Sequence, residues 1–233
     1  MKEKVKNISK LAFILIIFFY IGDVFKFIFD KIGLPVINFT AADSAYAEVL
    51  IEIILLIIVF FLYKKILIKD WEEFCKNLKA NIKKTVLLFG ILLGVKFGAG
   101  IISTIITSIL GMDLLVSENQ ATINLLLGSS PVMMFIGAVI LAPIVEESIF
   151  RLGIKKVIQN KPLFIIISGF VFGLMHVFPT NLGLVLVLTQ SIVYVSTGIT
   201  LAYMYEKNNN IYFVIIVHVL NNLLGLLATL ILI

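Results

Sequence analysis

The chain has 233 residues, of which 61% are hydrophobic and 14% charged, with a formal net charge of +5. Soluble domains carry about 25% charged residues, and a mean hydropathy of +1.11 excludes that class. No polar stretch is long enough for a separate soluble domain. The positive charge lies between apolar runs, which points to membrane orientation and anionic lipid and away from nucleic acid.

Apolar runs long enough to span a bilayer, about 20 residues each, occur near 11–29, 48–68, 85–110, 131–158, 162–178, 183–204 and 211–232. The expected fold is an all-α polytopic transmembrane helix bundle of about seven spans, within a range of six to eight. The division expected is N-terminal transmembrane helices over 1–130 and catalytic core helices over 131–233. The first run, LAFILIIFFYIG after a basic head, resembles a signal peptide, but the only A-x-A-like site, Ala45-Tyr46-Ala47, lies well beyond it. It is therefore read as a retained span.

The lysines alternate in side. The head carries Lys2, Lys4, Lys6 and Lys10, the second connection Lys64, Lys65, Lys69, Lys76, Lys79, Lys83 and Lys84, the fourth Lys155, Lys156 and Lys161, and the sixth Lys207. The other connections hold acids such as Asp43, Asp113 and Glu118 with little base apart from Lys31. By the positive-inside rule the N-terminus is cytoplasmic and the C-terminus outside. The single Cys75 falls in the lysine-rich second connection and cannot form an internal disulfide.

Gly90, Gly94 and Gly98 in the third span, and Gly169 and Gly173 in the fifth, are spaced for close helix packing. Asp23 and Lys26 sit one turn apart and are expected to neutralise each other. Lys96 is isolated in an apolar run, where a lysine either snorkels or finds a partner such as Asp23 or a substrate carboxylate.

The fourth span ends in APIVEESIFR, two glutamates and an arginine after the wholly apolar GAVIL. A charge in hydrocarbon costs roughly 2.5–3.5 kcal/mol, so each needs a partner or a task. Glu147 and Arg151 have the favourable i,i+4 order for an ion pair. Glu146 points about 100° away and is left unexplained by that pair. Pro143 removes a backbone hydrogen bond and tends to kink the helix just ahead of it.

Both histidines of the chain, His176 and His218, fall in predicted spans. With the fourth and fifth spans turning near Asn160, Glu146 and His176 are each roughly 21–24 Å from the turn. His218 lies roughly 16 Å from Lys207 on the same side. Three helices thus bring polar groups to one expected depth. Asn222 follows His218 on the same helical face, while Asn221 points elsewhere. A carboxylate with a histidine beside it can activate water, and paired neutral donors can hold the oxyanion of a tetrahedral intermediate.

In order, EExxxR (Glu146, Glu147, Arg151), FxxxH (Phe172, His176) and HxxxN (His218, Asn222) resemble the motifs of the CAAX protease and bacteriocin-processing family of intramembrane endopeptidases. This is also called the Abi family and includes the Rce1-type prenyl-protein proteases. The resemblance runs from Met133 to Leu223. It implies that Glu146 polarises the attacking water with help from His176, that His218 and Asn222 form an oxyanion hole, and that Glu147, Arg151 and Phe172 support the site. Leu152 departs from a glycine common in relatives, with Gly153 next. The implied substrates are peptides or lipidated protein tails, prenylated CAAX tails in eukaryotes and bacteriocin or signalling peptides in bacteria. The implied setting is a bacterial plasma membrane, with no cofactor.

Two histidines and a carboxylate also form a legitimate zinc set. A zinc-dependent protease using the same residues as ligands is therefore one alternative, although no HExxH helix is present and Glu146 as a ligand leaves no obvious base. A non-catalytic membrane regulator or immunity protein is another. A proton-coupled transporter is disfavoured by the lack of an internal repeat.

Overall fold

The computed structural model describes residues 2–111, 118–178 and 183–232. Eight helices are present among them and no strand: α1 Lys2–Lys31, α2 Ala41–Lys76, α3 Leu78–Ile109, α4 Glu118–Ser129, α5 Pro131–Val157, α6 Lys161–Met175, α7 Leu184–Asn208 and α8 Ile211–Leu232. Six of these, α1, α2, α3, α5, α7 and α8, are long and apolar enough to cross a membrane. The chain is an integral, all-α polytopic membrane protein.

The fifth expected span is α6, an apolar helix of 15 residues. At 1.5 Å per residue it covers roughly 22 Å, less than a hydrocarbon core of roughly 30 Å. It begins where Asn160 caps it, the side-chain oxygen accepting from the Leu163 N–H at 3.0 Å. The second connection is also not a loop, because α2 continues through the lysines to Lys76 and α3 begins at Leu78. Straight-chain lysines and glutamates extend a helix as readily as leucine does. Cys75 is therefore an exposed helical residue. Asp113 lies outside the described residues.

The helices group into two compact units, one of Met1–Lys69, Ile123–Val157 and Asn222–Ile233, the other of Asp70–Thr122 and Ile158–Asn221. Each draws on both sides of residue 130. In the first, α1 and α2 pack on α5 through two glycines. A Cβ at Gly137 would meet Val49 Cγ2 at 3.2 Å, and one at Gly153 would meet Leu11 Cδ1 at 2.9 Å and Tyr63 Oη at 3.1 Å. Phe18 of α1 meets the buried Phe150 edge to face at 5.7 Å. Asp23 and Lys26 are both exposed and form no ion pair among the described residues, so their expected neutralisation is not seen.

In the second unit α6 and α7 are in backbone contact. A Cβ at Gly169 would meet the Ile199 nitrogen at 2.6 Å, and one at Gly173 would meet Val195 Cα and N at 2.5 Å. The expectation for these two glycines holds. Gly90, Gly94 and Gly98 differ, since a Cβ at any of them meets nothing within 4 Å. The face that α3 buries is Thr85, Leu92, Ala99, Ser103 and Thr107, and Ser103 Oγ donates to the Thr189 carbonyl of α7 at 2.9 Å. The start of α8 is held by Asp70, whose carboxylate accepts from the Ile211 N–H at 2.9 Å while its carbonyl accepts from Asn210 Nδ2 at 2.6 Å. A buried acid capping a helix start satisfies orphan N–H groups and suits the helix dipole.

Candidate active site

The α5 helix carries the first group of predicted residues. Its hydrogen bonding widens to π-helical geometry over Phe135–Leu141 and again over Ser148–Gly153, on either side of the α-helical turn Ala142–Glu147. Such π-helical stretches are frequent at functional sites. Within this helix Glu147 and Arg151 form a bidentate pair, with Arg151 Nε donating to Glu147 Oε2 at 2.8 Å and Nη2 to Oε1 at 3.2 Å. Both side chains are fully buried. The expected pair is present, and each charge is matched by the other.

Glu146, half-buried on the neighbouring face, lies within electrostatic reach of Glu52, Glu147 and Arg151. Glu52 of α2 is a residue that the sequence reading passed over. Its Oε2 is buried and makes no hydrogen bond among the described residues. Glu48, one turn before it, also acts on it electrostatically. The signal was available: an acid inside VLIEIILLIIVF carries the same insertion cost that drew attention to Glu146.

Pro143 stands just after the first π-helical stretch, at the start of the α-helical turn that follows it. The Ala142 N–H donates five residues back, to the Gly137 carbonyl. In that register the next donor, to the Ala138 carbonyl, would be residue 143, and proline has no N–H. The Ala138 carbonyl is instead met by Asn222 Nδ2 of α8 at 2.9 Å. An amide nitrogen has two hydrogens, and this bond uses one and fixes the orientation of the side chain.

The second unit holds the aromatic and histidine group. His176 closes α6 as its C-terminal cap, with φ −81° and ψ −8°, and its N–H donates to the Gly173 carbonyl at 3.3 Å. Its ring Nδ1 lies 2.8 Å from the Phe172 carbonyl. A carbonyl only accepts, so Nδ1 carries a proton there, and in the neutral ring Nε2 presents its lone pair. Tyr194 of α7 stacks on the His176 ring at 5.2 Å with 17° between planes, a contact with no motif in the sequence to announce it. Phe172 touches both histidines, with ring centroids 4.7 Å from His176 and 5.6 Å from the buried His218. Phe172 is thus a spacer between the two imidazoles as well as a packing residue.

His218 and Asn222 are one turn apart on α8. Asn221, on another face, accepts from Lys96 Nζ at 2.7 Å, so the half-buried lysine of the third span has a neutral partner and not an acid. Among the described residues no three of His, Cys, Asp and Glu are grouped to hold a metal ion.

Residues 128–224 match the family model of the type II CAAX prenyl endopeptidases, Rce1-like, and this segment is similar to that family. All three motifs lie within it. Comparison with curated proteins and with solved structures found no match.

Proposed function

We propose that the protein hydrolyses peptide bonds in peptides or membrane-associated protein tails, using a water molecule activated by Glu146. The observation that carries this reading is the fully buried Glu147–Arg151 pair. It commits one of the two adjacent acids to structure, and the role of base then falls to Glu146.

In this mechanism the Glu146 carboxylate takes a proton from water, with His176 Nε2 as a second acceptor that orients it. The resulting hydroxide adds to the scissile carbonyl carbon, and the carbonyl oxygen becomes an oxyanion that His218 and the Asn222 amide stabilise by donation. Collapse of this intermediate breaks the C–N bond, and the proton held by Glu146 passes to the leaving amine. The products are a carboxylic acid and an amine, which exchange a proton to become carboxylate and ammonium, and Glu146 is regenerated. Phe172 and Tyr194 hold the imidazoles in place, and the lysine distribution supports a cytoplasmic N-terminus with substrate entry from that side.

The test is cleavage of quenched peptides, with and without C-terminal lipidation, by purified protein and by its Glu146→Gln variant, each with and without a zinc chelator. Loss of cleavage in the variant and indifference to the chelator is the expected result. Full activity in Glu146→Gln would overturn the assignment of the base, and loss on chelation restored by zinc would replace it with a metal mechanism.

A further inference from the structure

Three helices of the first unit change from charged to apolar at one level. On α1 the change falls between Lys10 and Leu11, on α2 between Tyr63 and Lys64, and on α5 between Gly153 and the Lys155-Lys156 pair. The packing pins these boundaries together, since Leu11 and Tyr63 both lie against Gly153. At this level is a cavity of about 540 Å³. Lys2, Lys6 and Lys10 line it from α1, Lys64 and Lys65 from α2, and Lys156 from α5. Glu3 is the one acid among its lining residues.

Orientation in the membrane requires lysines on one side but not on one face. Here three of the four lysines of the chain's head stand at i, i+4 and i+8 and line one concavity, an arrangement that costs helix stability through like-charge repulsion unless an anion meets it. Lys2, Lys6, Lys64 and Lys65 make no ion pair or hydrogen bond among the described residues. Lys10 is drawn inward, its Nζ donating to the Leu62 carbonyl at 3.4 Å. The remaining lining includes Phe61, Leu62 and Tyr63, on the apolar side of that boundary. A soluble polyanion has no use for that surface. A phospholipid does, because its phosphate and its hydrocarbon meet at the same boundary.

We infer that this cavity is a binding site for the phosphate-bearing headgroup of an anionic phospholipid, held by Lys6, Lys10 and Lys64 with the glycerol and upper acyl region against Phe61 and Tyr63. The inference is independent of the proteolytic mechanism. Basic pockets between transmembrane helices are a recognised way of holding such headgroups.

The experiment is native mass spectrometry of the full-length protein in detergent, titrated with phosphatidylglycerol, with phosphatidylcholine, or with inorganic phosphate. The variants are Lys6→Gln/Lys10→Gln/Lys64→Gln and, as a charge-matched control not among the lining residues, Lys76→Gln/Lys79→Gln/Lys83→Gln. The expected result is preferential retention of phosphatidylglycerol, roughly a hundredfold weaker in the cavity variant at about fivefold per lysine, and unchanged in the control. Should the triple variant not fold, the single exposed substitution Lys64→Gln gives a fivefold loss. Equal weakening in both triple variants would show diffuse surface attraction and overturn the site. Equal retention of phosphatidylcholine would overturn its anion selectivity, and displacement of the lipid by inorganic phosphate at comparable concentration would overturn the lipid as its ligand.

Discussion

Asn222 Nδ2 donates to the Ala138 carbonyl at 2.9 Å, filling the hydrogen bond that Pro143 cannot make. The proline is thereby linked to the orientation of a proposed oxyanion donor on another helix. Pro143→Ala supplies an N–H that competes with Asn222 for the α5 carbonyls. The expected outcome is a kcat lowered roughly five- to tenfold, the equivalent of about one hydrogen bond, with KM little changed and thermal stability undiminished, since alanine is the better helix former. An unchanged kcat would show that Pro143 does not position the amide.

The Glu147–Arg151 pair is fully buried, so removing one partner strands the other. Arg151→Leu is expected to destabilise the protein by about 3–5 kcal/mol, seen as a lower melting temperature in detergent and poor yield. The double variant Glu147→Leu/Arg151→Leu is expected to recover much of that loss, because no lone charge remains. If it melts no higher than the single variant, the pair contributes more than mutual neutralisation.

Gly173 faces the α7 backbone with no room for a methyl group, a Cβ there meeting Val195 Cα and N at 2.5 Å. Gly173→Ala is expected to cost about 1–3 kcal/mol through overpacking and to lower cleavage by moving the end of α6, which carries Phe172 and His176. Gly94→Ala, in open space on α3, is the matched control and is expected to be neutral or slightly stabilising. Both are read by thermal melting and by kcat.

Tyr194 stacks on His176, a contact worth about 0.5–1.5 kcal/mol. Tyr194→Leu is expected to reduce kcat by up to roughly tenfold, with KM held. Tyr194→Phe keeps the ring and is expected to restore most of the rate. A rate that falls equally in both variants would assign the effect to the hydroxyl and not to the stack.

Much of the fold was legible without coordinates because insertion in a membrane is decided by local composition. The apolar runs, the Asn160 turn, the Glu147–Arg151 pair and the close approach at Gly169 and Gly173 all follow from residues near one another in the chain. Two expectations failed for the same physical reason, namely that a local pattern does not name its partner. The stripe of Gly90, Gly94 and Gly98 has the right spacing, but a Cβ at any of them meets nothing within 4 Å, and Lys96 finds the amide of Asn221, 125 residues away, in place of an acid.

The sequence alone determined that this is an all-α membrane protein and singled out Glu146, His176, His218 and Asn222, because an ionisable or amide side chain in an apolar run is costly wherever the chain goes next. Only the tertiary structure decided that α6 stops at Met175 so that His176 caps it, that Tyr194 and Phe172 clamp its ring, that Glu52 comes within reach of Glu146, and that six lysines line one cavity. The Tyr194, Glu52 and cavity contacts join residues far apart in sequence. Their energies depend on which helix faces meet, and periodicity within one helix does not specify the face it will find.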